Sequence, residues 1–564
     1  MKKSNLIVLI IFSVLSVSGQ DVTLNWAGSL GGSADDRGAS LAIDSEGNTY
    51  TTGSFEGIAD FDPDTSEFLL TSNGQDDIYV QKLDMNGNFE WAISFGGAGG
   101  LDRGKSIVVD KDGYIYVTGS FSGTVDFDPG DGSFPLTSNG GSDFFVLKLD
   151  SDANFQWAIN IGGDGYEYSE FITVDELGGV YLTGSINSLS IDFDPGENTH
   201  YLSFIDGAIF ILKMDSGGNF IWAKNMGGRG SAYYFTWGKA IALDNQQNVY
   251  ITGVFGGTSD FDPGDNVYNL TSNGKNDVFV MKLDAVGNFV WANSVGAGGD
   301  DRGNSIKMDN ANKLYVCGDF RYTVDFDPSP SIFELISEGE ADIFILKLDA
   351  LGNFIWAKSI GSWDYDVSNS LTIDINNDIY ITGGFNNTVD FNPNSGVFNL
   401  SSLGSDDIFI EKLGSAGNFL WAVQMGGTSY ERGNSMTIEN SGTLYVTGTY
   451  YGTSDFDPNE TNYYLTSNGS GEIFVLKLNN ETMSINEMKN SSPLLYPNPS
   501  NGLVYLKNFE NVSRIDIYDG NGRKIIEQNT QDNQIDLTYL SRGIYFVIII
   551  TSDNLQYIEK IVIK

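Results

Sequence analysis

The stretch Asn88-Phe89-Glu90-Trp91-Ala92 decides the fold, because the same pattern recurs along most of the chain. Asn-Phe-x-Trp-Ala occurs six times, and a shortened form, Leu24-Asn25-Trp26-Ala27, precedes the six copies. The tryptophans are spaced by 65, 66, 65, 69, 65 and 65 residues: Trp26, Trp91, Trp157, Trp222, Trp291, Trp356 and Trp421. A fixed period over most of a chain indicates a repeat architecture such as a β-propeller.

A second marker, Asp-Phe-Asp-Pro, keeps step with the first. Its seven copies begin at Asp60, Asp126, Asp192, Asp260, Asp325, Asp390 and Asp455. In the sixth copy Asn392 replaces the second aspartate. Two independent markers that recur in phase seven times define seven repeat units.

Each unit reads as four β-strands. In the second unit these are Lys105 to Val109, Tyr114 to Phe121, Phe144 to Leu149 and Phe155 to Ile161, with a long insertion between the second and third. Runs such as 343–346, Ile-Phe-Ile-Leu, are apolar on both faces and favour strands covered on both sides. Blades that stack radially provide that cover and protect the strand edges.

The two ends of the repeat region predict how the ring closes. The region starts with a lone fourth strand, Val22 to Ser29, and its last unit ends at a third strand, Ile473 to Leu478. The N-terminal strand should therefore complete the last blade. The predicted fold is all-β: a seven-bladed β-propeller over residues 20–482, closed by its N-terminal strand, followed by a small C-terminal β-sandwich domain.

The repeat also has a family resemblance. The order Asn-Phe-x-Trp-Ala, Gly-Gly, x-Arg-Gly-x-Ser-Ile, Asp-x-x-Gly and Tyr-x-Thr-Gly resembles the bacterial seven-bladed β-propeller repeat family over roughly residues 22–478. That resemblance implies an extracellular propeller. It implies no particular activity.

The first 19 residues predict a secretory signal peptide. Lys2 and Lys3 precede an apolar core from Leu6 to Val17, and small residues before Gln20 suit cleavage. The core is too short to span a bilayer, and no later segment qualifies, so no transmembrane segment is predicted. Cys317 is the only cysteine, which excludes an intramolecular disulfide and lipidation just after the signal. We expect a secreted or outer-surface protein.

The last 71 residues predict a separate domain. A polar linker, 483–493, leads into residues 494–564, where the motifs are Tyr496-Pro497-Asn498-Pro499, Ile515 to Asp519 and Gly543 to Val547. This series resembles the type A sorting domain of the type IX secretion system. The resemblance implies export across the outer membrane, with the type IX secretion machinery as a partner. A generic adhesive β-domain is the alternative.

Composition excludes one class of partner. Asp and Glu number 74 against 31 Lys and Arg, for a formal net charge of -43. Such a surface repels phosphate backbones, so nucleic-acid binding is not expected. Extracellular polysaccharide, a surface protein or divalent cations are the expected partners.

The Asp-Phe-Asp-Pro insertions are the candidate metal loops. We expect them on the same face as the loops between the fourth strand and the next unit, where their carboxylates would repel one another unless a hard cation such as calcium bound there. The candidate calcium ligands are Asp60, Asp62, Asp126, Asp128, Asp131, Asp192, Asp194, Asp260, Asp262, Asp265, Asp325, Asp327, Asp455 and Asp457. The alternative is that each Asp caps amides of its own turn, while the Phe packs between blades.

The loops between units break the symmetry. Units 1, 2, 5 and 7 carry an acid followed by Arg-Gly, and we expect each Arg to pair with a carboxylate of a neighbouring blade. Units 3, 4 and 6 carry aromatic residues instead, which are the candidate ligand-binding residues: Tyr166, Tyr168, Tyr233, Tyr234, Trp237, Trp363 and Tyr365. Aromatic faces beside carboxylates suit sugar rings. Packing of these rings on adjacent loops is the alternative.

No catalytic residues are identified. With one His, His200, and one Cys, the chain lacks a His-based zinc cluster and favours neither a Ser-His nor a Cys-His relay. The leading function is therefore a non-catalytic binding or adhesion propeller for polysaccharide. A carbohydrate-active enzyme that uses two carboxylates and a structural surface scaffold remain alternatives.

Overall fold

Antiparallel β-strands make up the regular structure. The computed structural model describes residues 22–203, 207–228, 236–459, 461–480, 494–496, 498–507, 512–519, 524–529, 534–551 and 556–564. Over these ranges the chain forms 43 strands and no helix. The chain divides into two compact segments, Met1–Glu481, which contains the repeat units, and Thr482–Lys564. The predicted signal peptide and linker lie outside the described residues.

The strands follow the repeat. The N-terminal strand is β1, Val22–Gly32. Units 1 to 4 contain β2 Arg37–Ile43, β3 Thr49–Asp60, β4 Leu69–Leu83, β5 Phe89–Phe95, β6 Arg103–Val109, β7 Ile115–Phe121, β8 Thr124–Asp126, β9 Pro135–Thr137, β10 Asp143–Leu149, β11 Phe155–Ile161, β12 Glu167–Val174, β13 Val180–Ile186, β14 Ser190–Asp192, β15 Tyr201–Ser203, β16 Ala208–Met214, β17 Phe220–Gly227, β18 Trp237–Leu243, β19 Val249–Asp260, β20 Asn269–Leu283 and β21 Phe289–Val295. Units 5 to 7 contain β22 Arg302–Met308, β23 Lys313–Phe320, β24 Thr323–Asp325, β25 Glu334–Ile336, β26 Asp342–Asp349, β27 Phe354–Ile360, β28 Val367–Ile373, β29 Ile379–Asp390, β30 Asn399–Leu413, β31 Phe419–Gly427, β32 Arg432–Ile438, β33 Leu444–Tyr450, β34 Thr453–Asp455, β35 Tyr464–Thr466 and β36 Glu472–Asn480.

Each unit builds a four-stranded antiparallel sheet. In unit 2 the order is β6-β7-β10-β11, and Val117 lies opposite Ile107 on one side and Leu147 on the other. Unit 7 supplies only β32, β33 and β36 to its sheet, and β1 takes the fourth position beside β36. There Leu30 lies opposite Ile473.

The two middle strands are buried on both faces, because neighbouring sheets cover them. Every residue of β7 and of β10 is buried. Phe144 of unit 2 stacks on Phe210 of unit 3, with ring centroids 4.6 Å apart. The repeated apolar runs of the sequence are therefore the middle strands, which pack between neighbouring sheets.

The marker tryptophan joins consecutive units. Trp157, in the fourth strand of unit 2, donates from Nε1 to Ser216 O of unit 3 at 3.3 Å, and its ring lies against Gly218 in the same turn. Trp26 of β1 lies in the same way on Gly87 of unit 1, whose φ of 85° favours glycine.

The first strands of consecutive units contact one another, and β32 of unit 7 contacts β2 of unit 1. Serine side chains reinforce several of these junctions. Ser40 Oγ accepts Ile107 N–H at 3.3 Å, and Ser435 Oγ accepts Leu41 N–H at 3.3 Å. The second bond joins unit 7 to unit 1.

The insertion between the second and third strands forms a two-stranded ribbon. The ribbon is separate in units 2, 3 and 5, as β8–β9, β14–β15 and β24–β25, and in unit 7 β34–β35 pairs with β31 of unit 6. In units 1, 4 and 6 it continues the second and third strands themselves.

The C-terminal segment, Thr482–Lys564, has two sheets that share one hydrophobic core. Its strands are β37 Leu494–Tyr496, β38 Leu503–Lys507, β39 Val512–Asp519, β40 Lys524–Asn529, β41 Gln534–Asp536, β42 Gly543–Thr551 and β43 Gln556–Ile563. They form the sheets β37-β38-β41 and β40-β39-β42-β43. Val504, Ile517 and Val547 are fully buried between them.

Candidate functional site

A buried acid precedes the first strand of six units and holds the loop before it. Asp102 accepts Gly97 N–H at 2.9 Å and Ser122 N–H at 2.8 Å, one on each carboxylate oxygen. The equivalent buried acids are Asp36, Glu167, Asp301, Asp366 and Glu431. These acids therefore have a structural role. The residue that follows each of them lies at the start of the first strand of its unit.

Arginine follows the acid in four units, and its partner differs between them. Arg103 pairs with Asp76 at 2.7 Å and Arg432 with Asp406 at 2.5 Å, both across a junction between units, as the sequence predicts. Arg37 instead pairs with Asp35 at 2.5 Å within its own unit.

The fourth arginine, Arg302, also has a partner within its own unit, Asp319 at 3.9 Å. It approaches Tyr365, a predicted ligand-binding residue of unit 6. Arg302 Nη1 donates to the Tyr365 hydroxyl at 3.0 Å, and that hydroxyl lies 3.4 Å from Asp319 Oδ2. The guanidinium carbons of Arg321 and Arg432 lie 5.8 and 5.4 Å from the Tyr365 ring centroid. Residues of units 5, 6 and 7 thus converge on one phenol.

Two further tyrosines extend this cluster to unit 1. Arg432 lies 4.8 Å from the Tyr430 ring centroid, and Tyr430 meets Tyr451 edge-on at 5.9 Å. The Tyr451 hydroxyl donates to Asp35 Oδ1 at 3.1 Å. We name the continuous set the arginine–tyrosine arc: Arg302, Arg321, Tyr365, Arg432, Tyr430, Tyr451 and Arg37.

An open cavity lies at the unit 7 end of the arc. Its volume is about 720 Å³, and its lining residues are Arg37, Ser429, Tyr430, Asn434, Thr449 and Tyr451. Aromatic faces, a guanidinium, an amide and hydroxyls therefore meet around a space of ligand size.

Burial sets the protonation of the arc. It raises the pKa of Tyr365 to about 12, helped by the Asp319 charge, so the phenol is neutral at physiological pH. Burial also raises the pKa of Asp319 to about 6 against the opposing charge of Arg302. Burial by itself would raise the pKa of Asp35, but the hydrogen bond and the charge of Arg37 hold that pKa below its usual value. The arc therefore offers neutral phenols and guanidinium donors.

The other predicted aromatic residues are spread among different loops. Trp363 and Tyr166 are 67% and 54% exposed, whereas Tyr168 is half-buried. Trp237 is also half-buried, and Lys239 Nζ lies 4.3 Å from its ring centroid. Tyr233 and Tyr234 lie outside the described residues.

The Asp-Phe-Asp-Pro motifs form turns. In unit 2, Asp126 Oδ1 accepts Asp128 N–H at 3.1 Å and Phe134 N–H at 2.7 Å, and Asp128 Oδ1 accepts Gly130 N–H at 2.9 Å. Asn392 in unit 6 makes the same bond to Asn394 N–H at 3.0 Å. The seven motif phenylalanines are fully buried: Phe61, Phe127, Phe193, Phe261, Phe326, Phe391 and Phe456.

The motifs begin next to the loops between units: Asp60 lies opposite Gly31 and Asp455 opposite Gly426, at the ends of the preceding fourth strands. Each ribbon runs back along the fourth strand, so Phe134 stacks on Phe155, at the start of β11, with centroids 5.0 Å apart. In unit 6, Asn394 Nδ2 donates to Gly417 O in the turn before β31. The ribbon tips therefore lie beside that turn, about 20 Å along the strand from the loops between units. Among the described residues, no three His, Cys, Asp or Glu side chains gather as a metal site. Calcium binding at these loops stays a prediction.

The single histidine and cysteine have packing roles. His200 takes the place that Phe134 has in unit 2 and stacks on Phe220, with centroids 4.8 Å apart. Cys317 is fully buried, and burial raises the pKa of its thiol to about 12. Neither group is placed as a nucleophile or base.

Arg321, Tyr430 and Tyr451 are the residues that the sequence analysis missed. A position-by-position comparison of units contains the signal. Arg321 and Tyr451 occupy the place held by Glu56, Ser122 and Gly256 in other units, just after the second strand. That position varies from unit to unit, which indicates that the packing common to all units does not fix it.

Comparison with known proteins identifies two segments. Residues 494–564 match the secretion system C-terminal sorting domain, and residues 90–120 match a β-propeller repeat. The chain thus carries a type IX sorting domain behind a propeller-type repeat region, and the protein is secreted or held at the cell surface. Among the described residues, no helix is long and apolar enough to cross a membrane.

Relatives of the whole chain are distant. The uncharacterized WD repeat-containing protein L264 of Acanthamoeba polyphaga mimivirus is 22% identical over 76% of this chain and 36% of its own length. Regulatory protein FlaEY of Caulobacter vibrioides is 25% identical over 31% of this chain and 20% of its own. The chain thus spans about a third or less of these relatives. The structure of PorZ, a surface component of the type IX secretion system of Porphyromonas gingivalis, aligns over 95% of this chain and 100% of its own, at 10% identity and a TM-score of 0.24.

Proposed function

We propose that this protein is a type IX-exported surface protein in which a closed seven-bladed β-propeller binds an extracellular polysaccharide at the arginine–tyrosine arc. The sorting domain directs export, the ring provides a rigid support, and the arc supplies the contacts. Binding is non-catalytic in this proposal.

Contacts between the last unit and the first support closure of the ring. β1 pairs with β36 along its length, from Val22 opposite Asn480 to Leu30 opposite Ile473. Asn434 Nδ2 of unit 7 donates to Gly38 O of unit 1 at 2.8 Å. This bond repeats those of Asn369 to Gly433 O and of Asn304 to Ser368 O at earlier junctions.

The cavity beside Tyr430 and Tyr451 is the observation that carries the binding proposal. Sugar rings present apolar C–H faces that pack on tyrosine, and hydroxyl groups that accept from guanidinium and amide donors. Arg37 and Asn434 supply such donors in the same cavity. Repeated sugar units would also suit the length of an arc that continues from unit 7 to unit 5.

The carboxylates along the arc support binding over hydrolysis. Asp35 and Asp406 each face an arginine at ion-pair distance. An arginine partner stabilises the charged form and opposes service as a proton donor. A glycosidase would need one acid free to donate and a second to act as base or nucleophile.

Retention of the mature protein on insoluble polysaccharides tests the proposal. Cellulose, chitin, agarose and cross-linked pectin are suitable probes. We expect retention on one of them without release of soluble sugar, and at least a tenfold loss in Tyr430→Ala and Tyr451→Ala. Tyr464→Ala, which changes an exposed tyrosine on the unit 7 ribbon outside the arc, is the control and should bind normally.

Two outcomes would favour the other functions. Release of sugar that a single carboxylate-to-amide change abolishes would identify an enzyme. Retention on none of the probes, together with capture by a surface protein, would identify a scaffold.

A further inference from the structure

Six of the seven junctions between units contain two buried acids, one from each unit. The first acid lies in the third strand of one unit, and the second precedes or begins the first strand of the next. The pairs are Asp77 with Asp102, Asp143 with Glu167, Asp277 with Asp301, Asp342 with Asp366, Asp407 with Glu431, and Glu472 with Asp36. All twelve side chains are at most 2% exposed.

Backbone contacts hold the two acids side by side. Asp102 N–H donates to Asp76 O, the residue before Asp77, at 2.9 Å, and the same bond recurs at 2.8 Å at the other five junctions. Both acids also contact the same pair of consecutive glycines, Gly96 and Gly97. Gly97 N–H donates to Asp102, and a Cβ on Gly96 would overlap the Asp77 carboxyl group.

The remaining junction, between units 3 and 4, shows that the acids belong together. Ala208 stands at the first position and Thr236 at the second. Both residues are buried, so the junction still packs. The acids are thus present together at six junctions and absent together at one, as expected if each requires the other.

Hydrogen bonds distinguish the two members of a pair. Both oxygens of Asp102 accept backbone N–H groups, whereas Asp77 accepts only Asn73 N–H, on Oδ2 at 2.9 Å. Asp77 Oδ1 is buried without a partner among the described residues, and so are the Oδ1 atoms of Asp277, Asp342 and Asp407. At the other two junctions side-chain donors fill this need, with Asn160 Nδ2 on Asp143 and Ser29 Oγ on Glu472.

We propose that four junctions each hold one proton per pair of carboxyl groups, carried on Oδ1 of Asp77, Asp277, Asp342 or Asp407. Two adjacent buried carboxylates cannot both remain charged without a counter-ion. A proton on Oδ1 removes one of the two charges, and it lies on the buried oxygen that accepts no N–H group. Because three of the four oxygens in the Asp77–Asp102 pair already accept N–H groups, the pair is poorly equipped for the six to eight oxygens of calcium.

The surrounding charges leave this balance intact. Asp76 and Arg103 face the Asp77–Asp102 pair and neutralise each other at 2.7 Å. The acids that face the other pairs are Asp319 beside Asp301, Glu338 beside Asp342, and Asp406 beside Asp366, Asp407 and Glu431. Burial raises the pKa of both members of a pair: to about 6 for Asp277 and about 7 for Asp301, and to about 7 for Asp342 and about 6 for Asp366.

The pH dependence of stability follows from these directions. An acid whose pKa is higher in the folded state favours folding most below its unfolded pKa, and this contribution is lost as pH rises through the folded value. The wild-type protein should therefore lose stability between pH 5 and pH 8. It should take up protons on folding within that window.

Paired amide substitutions in the full chain test the proposal. Asp77→Asn keeps an oxygen for Asn73 N–H and places an NH₂ group where the proton lies. We expect its melting temperature to exceed that of the wild type at pH 8 and to match it at pH 5. Asp102→Asn sets an NH₂ group against a backbone N–H, so its melting temperature should fall by several degrees at both pH values. Asp277→Asn and Asp301→Asn repeat the comparison at a second junction.

Infrared spectroscopy gives a readout independent of stability. The wild type at pH 6 should show the carbonyl band of a protonated carboxyl group, reduced when Asp77, Asp277, Asp342 and Asp407 are all changed to Asn. An equal loss of stability in Asp77→Asn and Asp102→Asn at pH 8 would overturn the proposal. So would a rise in the wild-type melting temperature with calcium at pH 8 that Asp77→Asn abolishes, because the pair would then be a cation site.

Discussion

At the scale of single residues, Glu411 is a buried acid in the third strand of unit 6. Its side chain is fully buried, and neither carboxylate oxygen has a hydrogen-bond partner. Unit 1 has Gln81 at the same position, where Nε2 donates to Phe61 O at 2.6 Å and Oε1 accepts from Thr51 at 3.2 Å. Burial raises the pKa of Glu411 well above its ordinary value. The site thus accommodates a neutral group.

We predict that Glu411→Gln stabilises the protein at pH 8 by about 1–3 kcal/mol, because the amide can donate to Phe391 O without the cost of burying a charge. Glu411 favours folding most at low pH and loses that contribution as pH rises, so the gain should vanish near pH 4. Urea unfolding at both pH values measures it. The reciprocal change, Gln81→Glu, should destabilise at pH 8. A Glu411→Gln protein less stable than the wild type at pH 8 would contradict this account.

At the scale of elements, the ribbon between the second and third strands is held by its aspartates. The first aspartate of the motif links two distant backbone amides, and the second caps the tip. Asn392 performs the second role with an amide oxygen. A carboxylate charge is therefore not required at that position.

We predict that Asp126→Ala destabilises the protein by about 1–2 kcal/mol, because two N–H groups lose their acceptor. Asp128→Asn should change stability by less than about 0.5 kcal/mol, as Asn392 indicates. Thermal melts in calcium and in excess EDTA should show the same difference between these variants. A calcium-dependent rise in the wild type that Asp128→Asn removes would instead make the aspartates metal ligands.

The ribbons also show how far sequence reasoning reaches at this scale. The four strands of unit 2 were predictable to within one or two residues, because apolar runs and turn residues mark them. The course of the insertion could not be predicted, because the sequence shows only where the insertion leaves the sheet and where it returns. The stacking of Phe134 on Phe155, which sets that course, joins residues that no periodicity relates.

The candidate site was predictable in part for a similar reason. Tyr365 stood out because its loop departs from the repeat. Arg302, Arg432 and Arg37 looked purely structural, because arginine recurs at that position. Their convergence with Tyr430 and Tyr451 depends on how four neighbouring units present their loops, which a comparison within one motif does not show.

At the scale of the whole molecule, the contact of Trp26 with Gly87 measures how firmly β1 is held. Gly87 and Gly113 have nearly the same φ, 85° and 84°. A Cβ on Gly87 would overlap the Trp26 ring, whereas a Cβ on Gly113 meets nothing within 4 Å. The two positions therefore differ in this packing and share their backbone strain.

We predict that Gly113→Ala costs about 1 kcal/mol for its left-handed backbone. Gly87→Ala should cost about 1–3 kcal/mol more, because it also displaces Trp26. Limited proteolysis, read out by loss of the β1 segment, should detect early release of this strand in Gly87→Ala alone. Equal costs and equal cleavage in the two variants would show that β1 contributes little to the ring.

The partnership of β1 with β36 sets an order of events for the living cell. Ser29 bonds Tyr450 and Glu472, residues 421 and 443 positions later in the chain. β1 is synthesised long before β36, so its edge cannot form hydrogen bonds until β36 has been made. Contacts of such long range form slowly. Until then both edges stand open to aggregation. A chaperone that covers β1 until β36 is available would therefore protect the chain from aggregation during export.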